Sequence, residues 1–130
     1  MNNTTEKLRS QSIIALKEND YKHAIFLRKQ VIDEGDANIG DYSMIGEWSL
    51  ELNLYEQAVD MFTLCILLGK KKKNSWFEDS AYLLRAYAYL KLNMQEQFTD
   101  DLQHIEKNYN NASVTWLKNH PVINLSYLSC

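Results

Sequence analysis

Residues 44 to 66 read Met44-Ile45-Gly46-Glu47-Trp48-Ser49-Leu50-Glu51-Leu52-Asn53-Leu54-Tyr55-Glu56-Gln57-Ala58-Val59-Asp60-Met61-Phe62-Thr63-Leu64-Cys65-Ile66. Their apolar pattern predicts two amphipathic helices joined by a very short turn at Leu52-Asn53-Leu54. Gly46 on the first helix and Ala58 on the second are small enough for two helix backbones to approach closely and cross. Ile45, Trp48, Leu50, Leu52, Val59, Phe62 and Ile66 are expected to fill the seam between them.

Outward from this unit, the same kind of pattern continues in both directions. Toward the N-terminus a first helix, capped by Asn3 or Thr4, runs to about Glu18 and carries Leu8, Ile13, Ile14, Ala15 and Leu16. Asn19-Asp20 breaks it. A second helix with Ala24, Ile25, Leu27, Val31 and Ile32 runs to about Glu34. Gly35 then opens a turn and suits a left-handed, helix-ending conformation. The central pair covers about Ile39 to Leu52 and Leu54 to Leu68, with Asn53 and Glu56 as a capping pair. Gly69 is expected to stop the fourth helix, followed by a loop of Lys70 to Lys73 and Asn74. Ser75 with Glu78 makes a capping box for a fifth helix, about Trp76 to Leu92. Asn93 with Glu96 repeats it for a sixth, ending near Asn108. The tail, 113–130, holds a short helix around Val114 to Asn119, then Pro121 and an apolar end. Trp116 and Leu117 are placed to cover the sixth helix.

The chain matches itself when displaced. At an offset of 34, Leu16 meets Leu50, Asn19 meets Asn53, Tyr21 meets Tyr55, Ala24 meets Ala58 and Ile32 meets Ile66. At an offset of 40, Tyr42 meets Tyr82, Gly46 meets Ala86, Leu50 meets Leu90 and Asn53 meets Asn93. Three helical hairpins of one design follow from this, all-α throughout and forming one domain.

With Tyr42, Ile45-Gly46, Tyr55, Ala58 and Phe62 at their spacing, the chain resembles the tetratricopeptide repeat family. The resemblance covers about Thr5 to Asn108, with repeats at about 5–38, 39–72 and 76–110 and a C-terminal cap at 113–130. Two departures stand out. The usual closing proline is replaced by Asp36 and Lys70, and the third hairpin has Gln95 and Phe98 where tyrosine and alanine are usual. The resemblance implies a short right-handed superhelix whose concave surface, lined by the first helix of each pair, binds a partner protein. Carried over by position, the partner-binding residues are Arg9, Ile13, Lys17, Ser43, Met44, Glu47, Glu51, Leu84, Tyr87 and Lys91, with Glu6 and Ser80 beside them. Family members that grip a C-terminal carboxylate use basic and asparagine residues at five of these places. Here those places hold Arg9, Ile13, Met44, Ser80 and Leu84, so only Arg9 fits and a carboxylate clamp is not expected. Charge reversal at Arg9 or Glu47 is expected to leave stability nearly unchanged while weakening the partner complex.

Composition narrows the class of function. At 130 residues with 45% apolar and 24% charged residues, the chain has the balance of a soluble globular domain. A formal charge of −3 argues against nucleic acid as the main partner, since affinity there rests on a positive field. Cys65 and Cys130 make no disulfide framework, which suits a reducing compartment. The N-terminus is polar, without the features of a signal peptide, and no apolar run reaches the ~20 residues a membrane helix needs. A cytoplasmic location is expected, with a monomer or weak homodimer.

The sequence offers no converging set of catalytic groups. His23, His104 and His120 lie on separate elements without metal-ligand spacing and read as solvated surface residues. Asp33-Glu34-Asp36 and Asp100-Asp101 read as charged turn and helix surface. Gly35, Gly40, Gly46 and Gly69 are too scattered for a phosphate loop. No enzyme activity, cofactor or metal is expected. Among small tetratricopeptide proteins, adaptors, secretion chaperones and toxin-neutralising immunity proteins are the roles considered. The immunity role is preferred, because no second domain is there to be recruited. RNA binding through Lys70 to Lys73 is the alternative from another class.

Overall fold

The computed structural model of the chain describes residues 3–72 and 75–108. They form six helices and no strand: α1 (Asn3–Lys17), α2 (Tyr21–Asp33), α3 (Ile39–Glu51), α4 (Tyr55–Lys72), α5 (Ser75–Lys91) and α6 (Gln95–Asn108). Each helix packs on the next along the chain, and α3 also touches α5. The expected cap at 113–130, with Trp116 and Leu117, lies outside the described residues.

Three of the turns are built alike. Asn19, Asn53 and Asn93 have φ of 60°, 59° and 62°, the left-handed conformation. At the first, the Asn19 N–H donates to Leu16 O (2.9 Å) and the Asp20 N–H to Ala15 O (2.9 Å). At the second, Asn53 donates to Leu50 O (3.1 Å) and Leu54 to Ser49 O (2.8 Å). At the third, Asn93 donates to Leu90 O (3.1 Å) and Met94 to Tyr89 O (2.9 Å). Helix ends leave carbonyls without partners, and one left-handed residue turns the following N–H groups back onto them. Asparagine enters that conformation more readily than other residues with a Cβ. The expectation that Asn53 and Asn93 cap the following helices is therefore corrected: they close the preceding ones. The Asn53 side chain accepts from the Tyr55 hydroxyl (2.9 Å). Gly35, with φ of 77°, ends α2 in the left-handed conformation expected of it.

Gly69 does not stop α4. It is buried and stays in helical conformation, so the helix continues to Lys72 and carries Lys70 and Lys71 on its last turns. A glycine only permits the left-handed region, and helix hydrogen bonding wins where packing supports it. His104 departs from expectation too: it is half-buried, its ring stacked on Tyr82 with centroids 3.9 Å apart.

The seam between α3 and α4 is as close as its small residues allow. A Cβ at Gly46 would lie 2.8 Å from two ring carbons of Phe62, which is itself fully buried beside Ala58 and Cys65. Ala24 is buried to the same degree in the seam of α1 and α2.

Polar clamps tie successive helices together. Asp41 on α3 is fully buried and its carboxylate accepts from Arg9 of α1 (Nε 3.1 Å, Nη2 2.9 Å) and Arg28 of α2 (Nη1 2.9 Å). The Asn38 N–H adds a fourth bond at 2.9 Å, and the Asn38 side chain accepts from the Asp41 N–H in return, a capping box for α3. Arg28 also donates to Ser12 Oγ through Nε (3.0 Å) and Nη2 (2.8 Å). Arg85 of α5 does the same further along, bridging Asp101 of α6 (2.8 and 2.6 Å) and Thr63 of α4 (3.1 Å).

Two sets of substitutions test this packing. Gly46→Ala should lower stability by about 1–3 kcal/mol through the clash with Phe62, and Ala58→Leu and Ala24→Leu by similar amounts. Asn53→Ala should cost about 1 kcal/mol, while Asn53→Gly retains most of the wild-type stability. Urea unfolding measures both; an unchanged midpoint for Gly46→Ala and Ala58→Leu together would refute the crossing.

Candidate binding cavity

A cavity of about 310 Å³ opens beside the C-terminal half of α3. Leu16 from the last turn of α1 and Tyr21 from the start of α2 form one side; Met44, Glu47, Trp48, Leu50 and Glu51 of α3 form the next, and Leu84 of α5 completes it. Its walls are held firmly. Trp48, Leu50 and Leu84 are all at least nineteen-twentieths buried, and the Arg28 guanidinium lies 5.4 Å from the Trp48 ring centroid. Because Arg28 is fixed by Asp41 and Ser12, the clamp described above also steadies this wall.

Two carboxylates interrupt the apolar lining. Glu51 is exposed at the end of α3, and Glu47 is half-buried one turn earlier. Burial pushes the Glu47 carboxyl above the ordinary range for glutamate. Glu47 takes part in no hydrogen bond or ion pair among the described residues. Asp41 behaves in the opposite way. Burial raises its carboxyl too, but the Arg9 bond, the Asn38 N–H and Arg28 outweigh that and hold it below the ordinary aspartate range. The Cys65 thiol is pushed up to about 12 by burial and then by repulsion from Glu47, so it stays protonated and packs as an apolar group.

The residues carried over from the sequence fall into distinct surroundings. Met44, Glu47, Glu51 and Leu84 meet at the cavity. Ile13 is half-buried against the core formed by Ile45 and Trp48, and Ser43 is buried. Tyr87 is buried with its ring edge-on to Tyr55 (6.3 Å between centroids), and the Lys91 ammonium lies 5.7 Å over it. Lys17 is exposed on the last turn of α1, and Ser80 is half-buried on α5. Arg9 is engaged with Asp41, with Glu6 (2.8 Å) and with the Asp36 carbonyl (2.8 Å). The expectation that its charge reversal leaves stability unchanged is therefore corrected: a negative charge there would face the buried Asp41 carboxylate. From the sequence, Leu16, Trp48 and Leu50 read only as apolar helix positions, and Tyr21 only as a repeat match to Tyr55. Their place beside Glu47 or flanking the turn between α1 and α2 is the signal that they also border a cavity.

Comparison of the chain with protein-family models, with curated proteins and with solved structures finds no match in any of the three.

The two carboxylates predict opposite responses to acid. A carboxyl whose pKa is raised by folding disfavours the fold at neutral pH, and that penalty disappears as pH falls below its unfolded value, near 4.5 for Glu47. Glu47→Gln should accordingly raise the melting temperature at pH 7, and the advantage should vanish below about pH 4. Thermal melts across that range check it, and a variant less stable than wild type at pH 7 would show that Glu47 has a stabilising partner.

Proposed function

We propose that this chain binds a partner protein through the cavity beside α3, as a tetratricopeptide-type module. In this reading the helix pairs α1–α2, α3–α4 and α5–α6 stack as a short right-handed superhelix. The three asparagine turns, spaced by the same 34 and 40 residues as the sequence repeat, support that arrangement. The first helix of each pair then faces a common concave side.

The observation that carries the functional reading is the cavity itself. Side chains from four helices, two of them charged, converge on a space large enough for one or two side chains of another molecule. Buried apolar walls provide area, and the carboxylates provide orientation. Interfaces draw most of their affinity from a few such anchoring pockets. Sequestration of a partner, as an immunity protein does with a toxin, is the form of this activity we put forward in preference to an adaptor or secretion chaperone. That preference rests on the resemblance. Lys70 and Lys71 do not line the cavity, and the Lys70 ammonium lies 5.7 Å over the Tyr82 ring. Its pKa is raised by a hydrogen bond to that tyrosine.

A photoreactive amino acid placed at Glu51, on the cavity rim, should crosslink the natural partner in cells. The same group at Glu56, exposed on α4 and outside the lining, should not. With the partner purified, Glu51→Lys should weaken binding about tenfold, while stability changes by no more than ~0.5 kcal/mol, as for other exposed sites. Crosslinking from Glu56 alone would place the interface on another face and overturn the assignment.

A further inference from the structure

The two buried carboxylates among the described residues are both neutralised by arginine. Asp41 has Arg9 and Arg28, and Asp101 has Arg85, each at 2.6 to 2.9 Å. Among the described residues, Glu47, half-buried in the cavity wall, has no cation partner, and no lysine, arginine or histidine lines the cavity. Its surroundings add to the imbalance. Glu47 and Glu51 both lie in the last turns of α3, where the helix dipole presents its negative end, and no basic residue occupies that last turn. The cations nearest in sequence are engaged elsewhere: Lys29 donates to the Gln57 side chain, and Arg28 to Asp41 and Ser12. Both buried aspartates are paired with arginine, whereas this half-buried glutamate, beside Trp48, Met44 and Leu84, is not.

We propose that the cavity takes a lysine or arginine side chain presented by the partner protein, its alkyl stem lying against Met44, Trp48 and Leu84 and its charged head meeting Glu47 and Glu51. This rests on the cavity being the binding site. Long basic side chains combine an apolar stem with a charged tip, and the lining offers the complement of each. A charge-assisted bond to a half-buried carboxylate is stronger than one at an open surface. It also accounts for the retention of a carboxylate that the isolated fold does not favour, since binding sites hold residues at the expense of stability. An acidic or purely apolar anchor would leave two carboxylates uncompensated.

The test uses the full chain with methyl-labelled methionine and leucine, and four small probes. These are lysine and norleucine residues blocked at both ends, which differ by the ammonium group, n-butylammonium and 1-butanol. In wild type, blocked lysine should move the Met44 and Leu84 methyl resonances with a dissociation constant about tenfold below that of blocked norleucine, the gain expected of a charge-assisted bond. Glu47→Gln should erase that ratio, while its unperturbed methyl spectrum confirms the fold. Equal binding of lysine and norleucine, or a ratio that survives in Glu47→Gln, would overturn the cationic anchor yet leave the cavity as a binding site. Binding of n-butylammonium with exclusion of blocked lysine would assign the site to a free amine and also overturn it. If none of the four moves either methyl group, both the anchor and the cavity reading fail.

Discussion

One buried carboxylate sets the arrangement of the first three helices. Asp41 is out of water, and an uncompensated charge there would be strongly unfavourable. It is held by Arg9 from α1, Arg28 from α2 and the Asn38 N–H at the start of its own helix. Apolar packing alone fixes how much surface two helices bury but tolerates sliding between them. Bidentate guanidinium contacts do not, because their geometry is planar and specific. The clamp fixes α1 against α3, and with it the positions of Leu16 and Tyr21 opposite Met44 and Glu47.

The cavity is a consequence of that placement combined with the close crossing of α3 and α4. Gly46 lets Phe62 fill the seam on the far side of α3, so the helix is packed on both flanks. What remains open is the strip carrying Met44, Glu47 and Glu51. Polar residues on this chain thus have two kinds of surroundings. Asp41, Arg28, Arg85 and Asp101 are mutually satisfied and hold helices together. Glu47 has no such partner among the described residues, and burial makes its carboxyl hard to ionise.

Much of this was legible in the sequence, for physical reasons that differ by element. The six helices follow from apolar spacing, and Gly35 from the need for a left-handed helix end. Asn19, Asn53 and Asn93 were visible as a repeated feature, but their role was not. An asparagine before a helix can cap it or can end the helix before it, and the choice depends on which orphan groups are nearer. Gly69 was misleading because a glycine allows a helix to end without requiring it. The identity of Asp41 as a clamp was hidden, since its partners are 32 and 13 residues away in the chain. For the same reason Arg9 looked like free surface. Of the cavity, Met44, Glu47, Glu51 and Leu84 were accessible through positions implied by the family resemblance. Leu16, Tyr21, Trp48 and Leu50 were not, because an apolar residue beside a cavity and one inside a core have the same sequence signature.

The most direct test of the account is a double-mutant cycle on Arg28 and Asp41, read by urea unfolding at pH 7. Arg28→Ala and Asp41→Ala should each destabilise by several kcal/mol, about 3–5 for breaking one side of a buried pair. The double variant should lose much less than their sum, giving a coupling energy above about 1.5 kcal/mol. Additive losses within ~0.5 kcal/mol would contradict the claim that this pair holds α2 to α3 and steadies the cavity wall.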